Sequence, residues 1–205
     1  MVEWQLRRRG ITDRRVLEAM SRVPRELFVP PSEEANAYED VPLPIGHGQT
    51  ISQPYMVALI CQEAGVRTGA RVLDVGTGSG YQAAVLAELG AEVDSVERIP
   101  ELSERARASL DAAGYAGRVH THVGDGSLGL PERAPFDAIV VGAAAPGRPG
   151  ALYAQLAERG RLIVPVGGLG EQWLEVIVAS PEGPAVARSA PCRFVPLVGE
   201  EGYRE

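Results

Sequence analysis

Apolar residues in the first part of the chain recur at helical spacing. Val16, Leu17, Met20 and Val23 share one helical face, behind Thr12 or Asp13 as a cap. The segment VPRELFVPP ends that helix, and a polar loop through Asn36 leads to GHGQTISQPYMVA, residues 46–58. Pro54 suits the first turn of a second helix, whose apolar face is Met56, Val57, Ile60 and Ala64 and whose stop is Gly65. From Arg71 onward the pattern becomes an alternation. RVLDVG, AEVDSVE, RVHTHVGD, FDAIVVG and GRLIVPVG read as strands, with helices over residues 81–89, 100–113 and 151–158. FDAIVVG is apolar almost throughout, as a central parallel strand covered on both faces must be. QWLEVIVAS and AVARSAPCRFVPLVG, split by the turn-like PEGP, finish the sheet as antiparallel strands. The expectation is an α/β fold: a doubly wound, Rossmann-like sheet, mostly parallel, with a helical N-terminal elaboration. At 205 residues the chain suits one domain, with an N-terminal region (1–64), an α/β core (65–167) and a β-rich end (168–205).

Composition then removes several function classes. The net charge is −7, and general nucleic-acid binding wants a basic face. The Arg7, Arg8, Arg9 run and the Arg14, Arg15 pair read as solvated helix faces. Every basic residue is arginine, which excludes Schiff-base or general-base chemistry on lysine. There is no run of eighteen apolar residues, and MVEWQLRRRG lacks the apolar stretch of a signal peptide, so a cytoplasmic address without a membrane partner is expected. Cys61 and Cys192 have no metal-ligand spacing, and Cys61 reads as a buried free thiol. His120 and His122 lack a third ligand and read as ordinary strand residues, so no metal is expected. Scarce Asn, Met and Cys fit either heat tolerance or genome composition.

Candidate chemistry concentrates in DVGTGSG, residues 74–80. Glycines there let the backbone turn tightly and approach a ligand at the carboxyl edge of the sheet, although a plain turn would look the same. A dinucleotide fingerprint has its third glycine one residue later, where this chain has Tyr81. Two more acids end the next strands. Glu97, 19 residues beyond Gly78, can accept protons from both hydroxyls of a vicinal diol. Asp125, followed by Gly126, can accept from an adenine amino group. A second polar concentration precedes Pro54. Ser52 reads equally as a helix N-cap or as an anion ligand, but Gln49 and Thr50 are surplus to capping.

The order of DVGTGSG resembles motif I of the class I S-adenosylmethionine-dependent methyltransferases. PLPIGHGQTISQPYMVALICQ, VLDVGTGSGYQAAVLA, FDAIVVGAAAP and the late RFVPLVG together resemble the protein-L-isoaspartate O-methyltransferase family, from about Arg22 to Gly199. His47 beside the glycines is a small departure from commoner members. The resemblance implies methyl transfer from S-adenosylmethionine to the free α-carboxylate of isoaspartyl residues in damaged proteins. It implies Ser52 as the active-site serine, with Gln49, Thr50 and Ile51 beside it. Asp74 would face the cationic methionine end of the cofactor, with Gly76, Thr77, Gly78, Ser79, Gly80, Glu97, Asp125 and Gly126 completing that site. Val195, Pro196 and Leu197 would lie along the substrate peptide. A monomer is favoured.

Overall fold

The computed structural model describes residues 1–168 and 170–204. Asp13 is the first cap: its carboxylate accepts the Arg15 N–H at 2.8 Å, and α1 (Arg14–Arg22) follows with Val16, Leu17 and Met20 buried. The polar stretch ahead of Pro54, for which no strand was expected, holds an antiparallel hairpin, β1 (Leu43–Gly46) and β2 (Gln49–Ile51). His47 (φ 53°) and Gly48 (φ 70°) form its two-residue turn, the left-handed pair that suits a twisted hairpin. Then α2 (Pro54–Ala64) runs to Gly65, whose φ of 60° ends it.

The alternating half builds β3 (Arg71–Val75), α3 (Tyr81–Glu88), β4 (Glu92–Glu97), α4 (Pro100–Ala112), β5 (Val119–Val123) and β6 (Phe136–Val141). It continues through α5 (Gly150–Tyr153), β7 (Leu156–Gly167), β8 (Gln172–Val178) and β9 (Ala185–Cys192). The helix expected over 151–158 is therefore one turn, and the strand after it is longer. Leu156 pairs with Phe136 across the sheet, and the Gln155 side chain binds Leu130 N–H, Leu128 C=O and Ala151 C=O, so the chain leaves the helix there. Arg159, at φ 61°, absorbs the irregular register that results.

The seven strands lie in the order β5-β4-β3-β6-β7-β8-β9. Five are parallel, and β7, β8 and β9 form an antiparallel meander. β6 is buried on both faces as its sequence requires. Ala138 and Val140 pack with α1, α2 and α3, while Ile139 and Val141 pack with Leu152, Leu162 and Val164 on the other side. Because β4 and β6 flank β3 on opposite sides, a crevice opens at the carboxyl ends of β3 and β6, where open α/β sheets take ligands.

Gly160 tests the irregular start of β7. A Cβ there would sit 2.9 Å from the Ala157 carbonyl and 3.0 Å from the Phe136 carbonyl, both backbone atoms that cannot yield. Gly160→Ala is expected to cost about 1–3 kcal/mol. Calorimetry should then show the unfolding midpoint lower by about 2–10 °C for a chain of this length.

Candidate active site

The loop after β3 is held by its own backbone. Gly76 N–H donates to Val96 C=O at 2.9 Å, and Gly142 N–H, past the end of β6, donates to Val75 C=O at 2.8 Å. Gly76 (φ 88°) and Gly78 (φ 54°) are left-handed, which glycine adopts at no steric cost. Gly80 (φ 87°) starts α3 and faces Ala106 and Leu110 of α4, so its role is packing.

Glu97 lies where the sequence placed it. One carboxylate oxygen accepts Gly78 N–H at 2.9 Å and the other accepts Ile99 N–H at 3.0 Å. Each oxygen keeps lone-pair capacity, and the residue lines the crevice. Asp74 lies beneath the loop. It is fully buried, accepting from Gln82 Nε2 at 2.9 Å and from Ser95 Oγ at 2.8 Å, and Ser95 Oγ lies 2.6 Å from Thr77 Oγ1. Through these bonds it braces the loop from beneath. Burial pushes its pKa up to about 6, against those hydrogen bonds.

Asp125 also works on the protein itself. Its Oδ1 accepts from Ser127 N–H (2.9 Å) and Ser127 Oγ (2.7 Å), and its Oδ2 accepts Glu200 N–H at 2.8 Å. Burial alone would raise its pKa, but the Glu200 and Ser127 hydrogen bonds outweigh it and hold the carboxyl below its usual value. Its neighbour Gly126, not Asp125, lines the crevice; a Cβ there would lie 2.8 Å from Val75. The C-terminal turn that docks on Asp125 had no signal in local spacing.

Three cavities adjoin at this rim. A narrow crevice is lined by Gln49, Thr50, Gly76, Gly78, Glu97 and Gly126, with residues 195–198. A larger cavity of about 430 Å³ is lined by Thr50, Ser52, Tyr55 and residues 191–195. Between them lies a junction of Ile51, Ser52, Thr77, Ser79 and Gln82. Thr50 and Gly142 line all three. The hairpin brings Thr50 there, because Ile45 of β1 packs against Gly78 and lays the hairpin over the loop. Ile51 points mainly into the core.

Val195 and Leu197 are pinned to the stretch after β6: Ala144 N–H donates to Val195 C=O, and Leu197 N–H donates to Ala144 C=O, each at 2.8 Å. Tyr203 N–H takes the Leu197 carbonyl at 2.7 Å. Leu197 thus has both backbone groups bonded within the chain and lines the crevice.

The start of α2 corrects another expectation. Gln53, not Ser52, is its N-cap, and the anion at this helix terminus is the chain's own Asp40. Asp40 accepts Tyr55 N–H at 2.9 Å and Gln53 Nε2 at 3.3 Å, and pairs with Arg9. Arg9 stacks 3.8 Å from the Tyr55 ring and lines the larger cavity, so this member of the arginine run is part of the site. Ser52, with capping left to its neighbours, has its hydroxyl available to the cavity.

Among the described residues no group of His, Cys, Asp and Glu could hold a metal ion, and no helix is long and apolar enough to cross a membrane. His122 instead meets Asp94 at 2.8 Å, and Arg133 joins them.

Asp74 has a measurable consequence. Its folded pKa lies above the unfolded value of 3.8, so ionisation penalises the folded state. Wild-type stability from this group falls as pH rises from about 4 to about 6 and is then level. Denaturant unfolding without cofactor should show Asp74→Asn gaining on wild type across that window, by on the order of 2–3 kcal/mol. A difference that is constant with pH would contradict this burial effect.

The family described as protein-L-isoaspartate(D-aspartate) O-methyltransferase (PCMT) matches residues 1–202. A protein-L-isoaspartate O-methyltransferase of Aeropyrum pernix is 56% identical, covering 100% of this chain and 80% of its own. Among solved structures, a protein-L-isoaspartate O-methyltransferase superposes with a TM-score of 0.85 at 30% identity, covering 98% of this chain, which spans 65% of that protein. A beta-aspartate methyltransferase (PCMT) of Plasmodium falciparum, in complex with S-adenosyl-L-homocysteine, gives 0.81 at 29% identity and covers 94% of both chains. These likenesses, over the whole chain, show that it belongs to the protein-L-isoaspartate(D-aspartate) O-methyltransferase family.

Proposed function

We propose that the larger cavity receives an isoaspartyl residue of a damaged protein and that Ser52 and Thr50 hold its free α-carboxylate in line with a methyl donor in the crevice. The enzyme is an S-adenosylmethionine-dependent carboxyl methyltransferase, as its family is. The observation that supports the site reading is the shared lining: Thr50, Gly142 and Val195 border both the larger cavity and the crevice, and Thr50 and Gly142 also line the junction, where the two reactants would meet.

The residues present fit the cofactor. Glu97 offers two oxygens to a ribose diol, and Gly76 and Gly78 keep side chains out of the crevice. Gly142 does the same at the junction, where a Cβ would lie 3.3 Å from the Gly76 carbonyl. When bound, the cofactor supplies a sulfonium methyl group.

No base is needed. An α-carboxylate is already ionised at pH 7. Held by Glu97, Gly76 and Gly78, the cofactor would supply the methyl group that turns the acceptor carboxylate into a neutral ester. Charge falls toward the transition state, so a junction closed to water favours the step. What the protein adds is alignment by Ser52 and Thr50. The ester then closes to a succinimide that reopens partly to aspartate, which makes the reaction a repair. The finer reading is of a monomer at work in the cytoplasm, without nucleic-acid or membrane partners; the net charge of −7 supports excluding nucleic acid.

Two peptides differing only in Asp versus isoAsp test the substrate. Base-labile label from radiolabelled cofactor should enter the isoAsp peptide alone; equal labelling of both contradicts the reading. Ser52→Ala should lower kcat/KM about tenfold to a hundredfold, the loss of one hydrogen bond to a charged group, with S-adenosylhomocysteine affinity unchanged in calorimetry. Glu97→Gln should do the reverse, weakening S-adenosylhomocysteine about tenfold or more.

A further inference from the structure

Arg25 is the largest polar side chain wholly inside the protein, at 0% exposure. A buried guanidinium normally meets a carboxylate, because an unpaired charge in a low-dielectric interior is costly. Among the described residues no carboxylate lies within ion-pair distance of this one. Its Nε donates to Ala37 C=O at 2.7 Å and its Nη2 donates to Ser52 C=O at 2.9 Å. Its plane lies 4.7 Å from the centre of the Tyr81 ring. Its Nη1 is buried with no hydrogen-bond partner. Asp40 is the acid whose field reaches it, but Asp40 is committed to Arg9 and to the start of α2.

Of the two residues whose carbonyls it binds, Ser52 lines the larger cavity and Ala37 is buried behind it. Ala37 leads into the Asp40 turn, and Ser52 joins β2 to α2. Turning the Ser52 carbonyl inward, onto Arg25, removes an oxygen that would otherwise repel an incoming anion. The same bond fixes the backbone from which the Ser52 hydroxyl projects. Behind Ser52 there remains a buried positive charge with no counter-ion of its own.

We propose that Arg25 is a positioning residue for the methyl acceptor: it anchors Ser52 through its carbonyl, and its uncompensated charge makes the larger cavity selective for an ionised carboxylate. This rests on the reading that the cavity binds the isoaspartyl α-carboxylate. The acceptor's carboxylate offers the Arg25 charge a counter-ion, and a neutral group of the same shape does not.

The test uses the full chain, an isoAsp peptide as substrate, and the same peptide with its α-carboxylate replaced by carboxamide as a competitive inhibitor. The methyl-ester product and unmethylated carboxylate peptide are measured with wild type, Arg25→Lys and Arg25→Met. Wild type must first methylate the isoAsp peptide; failure there defeats the functional reading, not the Arg25 inference. Wild type is expected to bind carboxylate at least about tenfold more tightly than carboxamide. Arg25→Met should erase that preference by raising KM for the substrate, with the carboxamide inhibition constant and the S-adenosylhomocysteine affinity changed less than about threefold. Arg25→Lys should keep the preference but lower kcat, because an ammonium is a point charge that cannot span both carbonyls. A purely structural arginine would weaken carboxylate and carboxamide alike in Arg25→Met, and that result overturns the proposal. Should Arg25→Met fail to fold, the lysine variant decides: loss of the preference, or an unchanged kcat, overturns it equally.

Discussion

The position of β3 between β4 and β6 is the constraint from which the rest of the site follows. Chain leaving β3 turns toward one side of the sheet and chain leaving β6 toward the other, so the carboxyl rim opens between them. Two backbone bonds, Gly76 N–H to Val96 and Gly142 N–H to Val75, then hold the turn residues flush with the strand ends. Only glycine at these two positions leaves the floor of the rim bare. The β1–β2 hairpin roofs that floor, and Thr50 descends from it to the place where donor and acceptor spaces join.

If the larger cavity takes an anionic acceptor, as proposed, the arrangement of this acidic protein's own acids bears on how. Asp40, Glu97 and Asp125 are each held by backbone N–H groups, while Asp74 is held by side chains beneath the loop. None of the four is left as a bare charge aimed into the acceptor cavity. Arg9 neutralises Asp40 at the cavity edge, and Arg25 lies behind Ser52, bound to two carbonyls, with its Nη1 unbonded. Local charge at the cavity is thus decoupled from the negative charge of the chain as a whole.

Much of this was legible in sequence because it depends on local pattern. The parallel strands announced themselves by apolar runs, the helix ends by Pro54 and Gly65, and the ligand rim by glycines at positions 76 and 78 followed by Glu97. The antiparallel meander was legible too, though its order of pairing was not. Features set by distant contacts were hidden. His47 gave no hint of a hairpin turn, since a non-glycine residue at φ 53° is uncommon. Asp74 sits in the motif but turns under it, because Gln82 and Ser95 offer it donors there. Asp40 caps a helix that starts 14 residues later, so spacing rules for capping could not find it. The short α5 and the docking of the C-terminal turn on Asp125 likewise follow from tertiary fit.

The most direct measurement is a crystal structure of the chain with S-adenosylhomocysteine and an isoaspartyl peptide together. The sulfur is expected at the Thr50–Gly142 junction, the ribose hydroxyls on Glu97, and the peptide's free α-carboxylate beside Ser52. A nucleoside bound outside the crevice, or a carboxylate held away from Thr50 and Ser52, would contradict the idea that the two spaces meet at this junction.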